Sequence, residues 1–341
     1  MKVLITGGAG FIGCNAAKYY HERGDEVVVV DDLSRKGADK NLQWLEGHGG
    51  IKFIKQDIRD YSGLKKAISG CGRIDLLLHL AAQVAVTTSV KDPRSDFDIN
   101  ALGTFNVLEA VRDLGIDPVF IFSSTNKVYG EMTDVKVVSE EGRYRYSELA
   151  GGVPEARGLD FHSPYGCSKG CADQYVIDYS RIYGLRTVCM RQSCIYGPRQ
   201  FGVEDQGWVA WFTIAVSLGR PITIYGDGKQ VRDVLHVDDL VALFDSAYQR
   251  IDRVGGMAFN VGGGPRNQMS LLELVDMLEK LSGRKIEPAF EDWRPGDQKI
   301  YVSDITRARD YLSWEPRINK TEGVEKLWDW VNDNKELFEG V

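Results

Sequence analysis

The sequence is short of several things, and each shortage excludes a class of protein. Lysine and arginine number 42 against 49 aspartates and glutamates, a net charge of −7, so the basic excess that a nucleic-acid binder needs is missing. No apolar run approaches the ~20 residues of a membrane span, and Met1-Lys2-Val3-Leu4-Ile5-Thr6 runs straight into glycines without an export signal. Neither a nucleic acid nor a membrane is expected as a partner. Six cysteines, at Cys14, Cys71, Cys167, Cys171, Cys189 and Cys194, fit no disulfide framework and no zinc pattern, and Cys167 with Cys171 makes CxxxC, not the redox CxxC. The five histidines, His21, His48, His79, His162 and His236, form no HxxxH or HExxH pair, so no metal is expected. Repeats and low-complexity tracts are missing too. A reduced, cytoplasmic protein follows, and 341 residues suffice for one large domain and a smaller lobe.

What is present is an alternation. Short apolar runs at Lys2 to Thr6, Glu26 to Asp31, Lys52 to Gln56, Asp75 to Leu80 and Val119 to Ser123 read as buried parallel strands. Amphipathic segments separate them, as in Asp98 to Leu114, where Ala101, Phe105, Leu108 and Val111 recur at helical spacing. A sixth unit adds a helix from Pro164 to Tyr183 and a strand from Arg186 to Gln192. Strands alternating with helices predict an α/β fold, a doubly wound parallel sheet. After about residue 192 the rhythm breaks into a strand-like Pro221 to Tyr225, a helix from Ser270 to Leu281 and a last helix from Glu322 to Asn334. These predict a smaller mixed C-terminal lobe, with Val234 to Asn260 returning to the first domain. The expected division is therefore 1–192 plus about 234–260, and about 193–233 plus 261–341. Between Gly130 and His162 a charged stretch with Glu140, Glu141, Arg143 and Arg145 shows little periodicity, and long irregular segments in compact domains are usually functional. It reads as a substrate lid.

The segment Gly7-Gly8-Ala9-Gly10-Phe11-Ile12-Gly13 lies between the first strand and a helix. Gly8, Gly10 and Gly13 satisfy GxGxxG, and Gly7, Gly10 and Gly13 the GxxGxxG variant; such glycines let the backbone approach a pyrophosphate whose charge the helix N-terminus stabilises. This is a Rossmann-type dinucleotide site. Asp31, closing the second strand, is placed for the adenosine ribose hydroxyl, and a carboxylate there repels a 2′-phosphate, which favours NAD over NADP. Asp32 can share that role. Asp57 and Ile58 follow the third strand within reach of the adenine, and the small residues of Leu80-Ala81-Ala82-Gln83 let the dinucleotide pass the end of the fourth.

Tyr165 and Lys169 form YxxxK at the start of a helix, one turn apart on one face. Tyrosine titrates near ~10, so a phenol acting as base at neutral pH needs about 4 kcal/mol of help, which a lysine ammonium and a cationic nicotinamide ring can supply. Thr125 stands at the carboxyl end of the fifth strand, where ligands bind in such sheets, and its hydroxyl can orient a reacting hydroxyl.

With Asp31, Ser123-Ser124-Thr125, Tyr165, Lys169 and the later Arg232-Asp233-Val234-Leu235-His236-Val237-Asp238-Asp239, the glycine loop resembles an extended short-chain dehydrogenase/reductase acting on nucleotide sugars, along essentially the whole chain. Within that family, Ser124 to Gly130, Leu159 to Lys169 and Cys194 to Gly202 are similar to 2-epimerases of CDP-sugars. The resemblance implies NAD as cofactor, a CDP-sugar as substrate and transient oxidation at C2. Dehydratases of the family carry an Asp-Glu pair after the threonine; here Asn126-Lys127 stands instead, and an amide cannot donate and retrieve a proton. The resemblance also makes Arg232 and Arg294 the clamp for the substrate diphosphate, with Arg199 as a third cation, Tyr225 against base or sugar, and His162 beside the sugar. Inversion at C4 of a UDP-hexose is the alternative enzyme, and a silent NAD-binding protein a more distant one. Family members pair through helices near 95–113 and 164–183, which implies a homodimer or homotetramer.

Overall fold

A computed structural model describes residues 1–294 and 297–338. Pro295 and Gly296, part of the motif that carries Arg294, lie outside the described residues. Seven parallel strands form the central sheet: β1 (Lys2–Thr6), β2 (Glu26–Asp31), β3 (Lys52–Lys55), β4 (Leu76–His79), β5 (Val119–Thr125), β6 (Thr187–Gln192) and β7 (Met257–Val261), in the order β7-β6-β5-β4-β1-β2-β3. Leu4 lies between Val28 of β2 and Leu77 of β4. The order reverses beside β1, which opens a crevice at the carboxyl ends of the strands.

The sequences of β2, Glu-Val-Val-Val-Val-Asp, and β4, Leu-Leu-Leu-His, have no polar alternation because helices cover both faces. One apolar core packs Val3, Ile5, Val27 and Val29 against Leu240, Leu243 and Phe244 of helix Val237–Gln249, and a second packs Leu4, Val28 and Leu77 against Val107 and Val176 on the opposite face. The helix expected over Asp98 to Leu114 begins with a π-helical turn, Asp98–Leu102, before Gly103–Asp113. Strand β7, inside a segment the sequence returns to the sheet without identifying a strand, pairs with β6 through Phe259 and Met190.

Beyond β6 a small mixed sheet joins Val231–His236 to Cys194–Tyr196, Gln268–Ser270 and Ile300–Tyr301. The segment 130–162, expected to be irregular and to act as a lid, contains regular structure. That segment folds into an antiparallel hairpin, Val137–Glu140 with Arg143–Tyr146, turning at Gly142 with φ of 76°. Its Tyr144 and Tyr146 are buried with Val231, Ile300 and Tyr301, and neither strand of the hairpin lines the cleft.

Candidate functional site

A cavity of about 370 Å³ runs along the crevice. At one end the chain leaves β1 through Gly7, at φ +69°, and enters helix Phe11–Glu22 at Gly10 with no side-chain cap. A Cβ on Gly7 would sit 2.6 Å from the Ala81 amide nitrogen, and one on Gly13 would sit 2.2 Å from the Gly7 carbonyl oxygen. The glycines are therefore sterically required, and they leave the first amides of the helix facing the cavity, as an anion site needs.

Asp31 is held from both sides: Ala9 N–H donates to Oδ2 at 3.0 Å and Leu33 N–H to Oδ1 at 2.8 Å. Burial raises its pKa against these bonds. Asp32 lines the cavity and accepts from Ser34 N–H at 2.9 Å. Asp57 lines it too, with Arg59 donating from Nη2 at 2.6 Å and holding its carboxyl below the usual range. Phe11, Ile12, Ile58, Leu80, Ala81 and Ala82 complete this wall. Gln83 does not join it. Its amide donates to Asp96 at 2.8 Å and to the Ala85 carbonyl at 2.9 Å, bracing the loop behind the cavity.

At the other end, the threonine closing β5 meets helix Ser163–Tyr183, which brings Thr125, Tyr165 and Lys169 to one wall. Burial pushes the Tyr165 phenol up to about 12, with a hydrogen bond from Thr125 acting the other way. Lys169 is pushed down to about 8 by burial; its ammonium donates to the Ser123 carbonyl and lies 4.1 Å from the centre of the Phe122 ring. Desolvation is the largest influence on both groups in the protein alone. Behind Phe122, His79 accepts from Thr6 Oγ1 at 2.7 Å and donates to Thr104 Oγ1 at 3.0 Å, since Thr104 itself donates to the Asn100 carbonyl. Burial holds this ring neutral, at about 3.

The residues expected on the substrate diverge. His162 is outside the main cavity, its Nε2 2.9 Å from Glu131, and both side chains are half exposed. Arg232 donates to Asp297 at 2.8 Å and to the Gln298 carbonyl at 2.8 Å. Arg294 stacks 3.8 Å over Tyr225 and pairs with Asp205 at 3.3 Å, while Tyr225 donates to Glu204 at 3.0 Å. None of these four lines the cavity. Arg199 does line it, with its guanidinium over Trp44 and its charge felt at Cys14 in the helix of the glycine loop.

Two features escape a reading of motifs. Lys127 lines the cavity beside Thr125 with its Nζ 3.3 Å from Gln298 Oε1, and burial pushes it down to about 8. Asp173 is fully buried and accepts from Ser124 Oγ at 2.7 Å and from Arg191 at 2.9 and 3.0 Å, and Arg191 continues to Tyr129 at 3.0 Å. The spacing Tyr165, Lys169, Asp173 on one helix face is the signal that could have found it.

The profile of the family described as GDP-mannose 4,6 dehydratase matches residues 4–327. A CDP-paratose 2-epimerase of Salmonella typhi is 45% identical, covering 97% of this chain and 99% of that protein. The structure of a UDP-glucose 4-epimerase with UDP-glucose from Thermotoga maritima superposes with a TM-score of 0.85 at 32% identity, over 98% of this chain and 100% of that one. The Thermus thermophilus UDP-glucose 4-epimerase in complex with NAD gives 0.82 at 31% identity, with the same coverage of 98% and 100%.

Proposed function

The chain belongs to the GDP-mannose 4,6-dehydratase family, and from that membership we propose that it is an NAD-dependent 2-epimerase of CDP-sugars, of the CDP-paratose to CDP-tyvelose type, with CDP-glucose a further candidate. One observation carries the reading: Thr125, Tyr165 and Lys169 share a single cavity with the glycine loop, while Asn126 and Lys127 stand where elimination would need an acid and a base. The 45% identity to a CDP-paratose 2-epimerase supports the CDP-sugar and C2. Inversion at C4 of a UDP-hexose is the second reading, favoured by the likeness to a UDP-glucose 4-epimerase.

The Gly7 and Gly13 cradle, the first-turn amides of helix Phe11–Glu22 and the carboxylate of Asp31 fit NAD. A C2 hydrogen beside an alcohol is not acidic, so inversion requires a transient 2-keto sugar. When bound, NAD supplies the acceptor for the C2 hydride and its donor on return. Tyr165 Oη takes the C2 hydroxyl proton and gives it back, Thr125 Oγ1 orients that hydroxyl, and Lys169 stabilises the phenolate and holds the nicotinamide ribose.

In this reading residues 1–192 with about 234–260 serve the cofactor and the proton transfer. Residues about 193–233 with 261–341 serve the nucleotide sugar, Arg232 and Arg294 taking its diphosphate, Tyr225 its base and His162 its sugar. No described helix is long and apolar enough to cross a membrane. A cytoplasmic setting is supported by six free cysteines, and a homodimer or homotetramer by Phe97, Leu102, Tyr175, Ile182 and Tyr183, exposed around Gly103–Asp113 and along Ser163–Tyr183. Incubation with CDP- and UDP-hexoses, read by NMR, tests the proposal. Inversion at C2 of a CDP-sugar is expected; inversion at C4 selects the second reading, and no inversion with no NAD released on denaturation removes both.

A further inference from the structure

Arg199 is a cation that the proposed chemistry leaves without a task. It is only 9% exposed and lines the cavity. Its guanidinium carbon lies 4.2 Å from the centre of the Trp44 ring and 5.8 Å from that of Trp330. Indole faces attract the charge and strip it of water, yet offer no oxygen to its five N–H donors. Among the described residues no carboxylate pairs with it and no oxygen accepts from its side chain; Arg35, the other arginine on this wall, is already held by Gln206 Oε1. The backbone is deliberately placed: Asn15 Nδ2 donates to the Pro198 carbonyl at 3.0 Å, Asn41 Nδ2 donates to the Arg199 carbonyl at 3.3 Å, and Arg199 sits at φ +69°. A non-glycine residue keeps that left-handed conformation only where its surroundings impose it. Its charge is also felt by Cys14, in the first turn of helix Phe11–Glu22, where it pulls the thiol down against burial.

A largely buried guanidinium with no ion-pair partner among the described residues, which feels Glu336 only at longer range, and the open amides of a 12-residue helix therefore border one space. Both favour an anion, and burying a charge without a counter-charge is expensive. We infer that Arg199 clamps the diphosphate of the bound dinucleotide against the helix end at Gly10, from the side opposite the sheet. The inference rests on the NAD chemistry proposed above, and it assigns Arg199 to the cofactor's diphosphate, leaving the substrate's to other residues.

The test is equilibrium dialysis of the full-length protein against NAD, ADP-ribose and adenosine, for wild type, Arg199→Met and Arg199→Lys, with the Tm of each unliganded protein recorded. Methionine keeps an apolar stem between the indoles and loses the fork. Loss of a charge-assisted bidentate contact should weaken NAD and ADP-ribose by about tenfold to a hundredfold and leave adenosine unchanged. Lysine should restore part of the loss, as a point charge without the fork. Should Arg199→Met fail to fold, Arg199→Lys alone carries the test, with weaker NAD and ADP-ribose binding at an unchanged Tm. Unchanged NAD and ADP-ribose affinities overturn the clamp, as does an equal loss for adenosine, which would put Arg199 on the nucleoside. A wild type that binds none of the three overturns the NAD reading itself.

Discussion

At the glycine-loop end of the cleft, Asp31 is fixed by backbone amides and the first turn of helix Phe11–Glu22 borders the cavity, whereas Arg232 and Arg294 in the lobe already hold Asp297 and Asp205. The first region is built in advance from local sequence, its carboxylates already held by backbone amides or by Arg59. The second is self-neutralised, and in the reading proposed above it exchanges a carboxylate of its own chain for the ligand's phosphates. Preorganisation saves ordering and desolvation on binding, and exchange gives some of that back. An epimerase that restores its cofactor each turn gains from a dinucleotide that stays and a nucleotide sugar that leaves, and the two regions are arranged accordingly.

The largest expected effect lies where the regions meet. Tyr165→Phe removes the group that moves the proton and should lower kcat by about 10²–10⁴-fold. Bound NAD, measured by its release on denaturation, should stay at the wild-type level, since the phenol is not part of the glycine-loop end. Loss of NAD along with activity would blur the contrast. Next, Arg232→Ala should raise KM for the CDP-sugar by roughly 10- to 100-fold with NAD content unchanged, because it deletes a phosphate contact and not the cofactor cradle.

The pH profile separates the two regions in another way. Lys169 stands at about 8 because burial disfavours its charge, with Asp173 and Asp96 working against that. It is protonated below that value and gives up its proton as pH rises through it, taking away the charge that stabilises the Tyr165 phenolate. Turnover should therefore fall above about pH 8, by up to about tenfold per pH unit, while NAD retention stays flat. The smallest effect is the most diagnostic of self-neutralisation. Asp297→Asn keeps a hydrogen-bond acceptor near Arg232 but removes the competing charge, and should lower KM by a few-fold, on the order of 1 kcal/mol. A raised KM would mean that Asp297 positions Arg232 instead of competing with the substrate.

The same division explains what the sequence makes legible. Strands β1, β2 and β4 are uninterrupted apolar runs because both of their faces are covered, and the glycines at 7, 10 and 13 announce themselves by type and spacing. Thr125, Tyr165 and Lys169 are legible for the same reason: each ends a strand or opens a helix. Met257–Val261 is obscured by its asparagine and short length. In Arg143–Tyr146 the charges conceal an alternation whose tyrosines point to the core. The partners of Arg232 and Arg294 are illegible, since Asp297 and Asp205 come to them by tertiary folding across long separations. Arg199 carries a recognisable motif, yet its destination depends on Trp44 and Trp330, which no local pattern connects to it. Gln83 follows a strand like a ligand residue and turns away because Asp96 is buried behind it.

The central claim is inversion by withdrawal and return of one hydride at C2. It is tested most directly by converting a CDP-sugar deuterated at C2 in ordinary water and following the product by NMR. The inverted C2 should still carry its deuterium. An inverted C2 bearing a solvent proton, or inversion at C4 with C2 untouched, would contradict it.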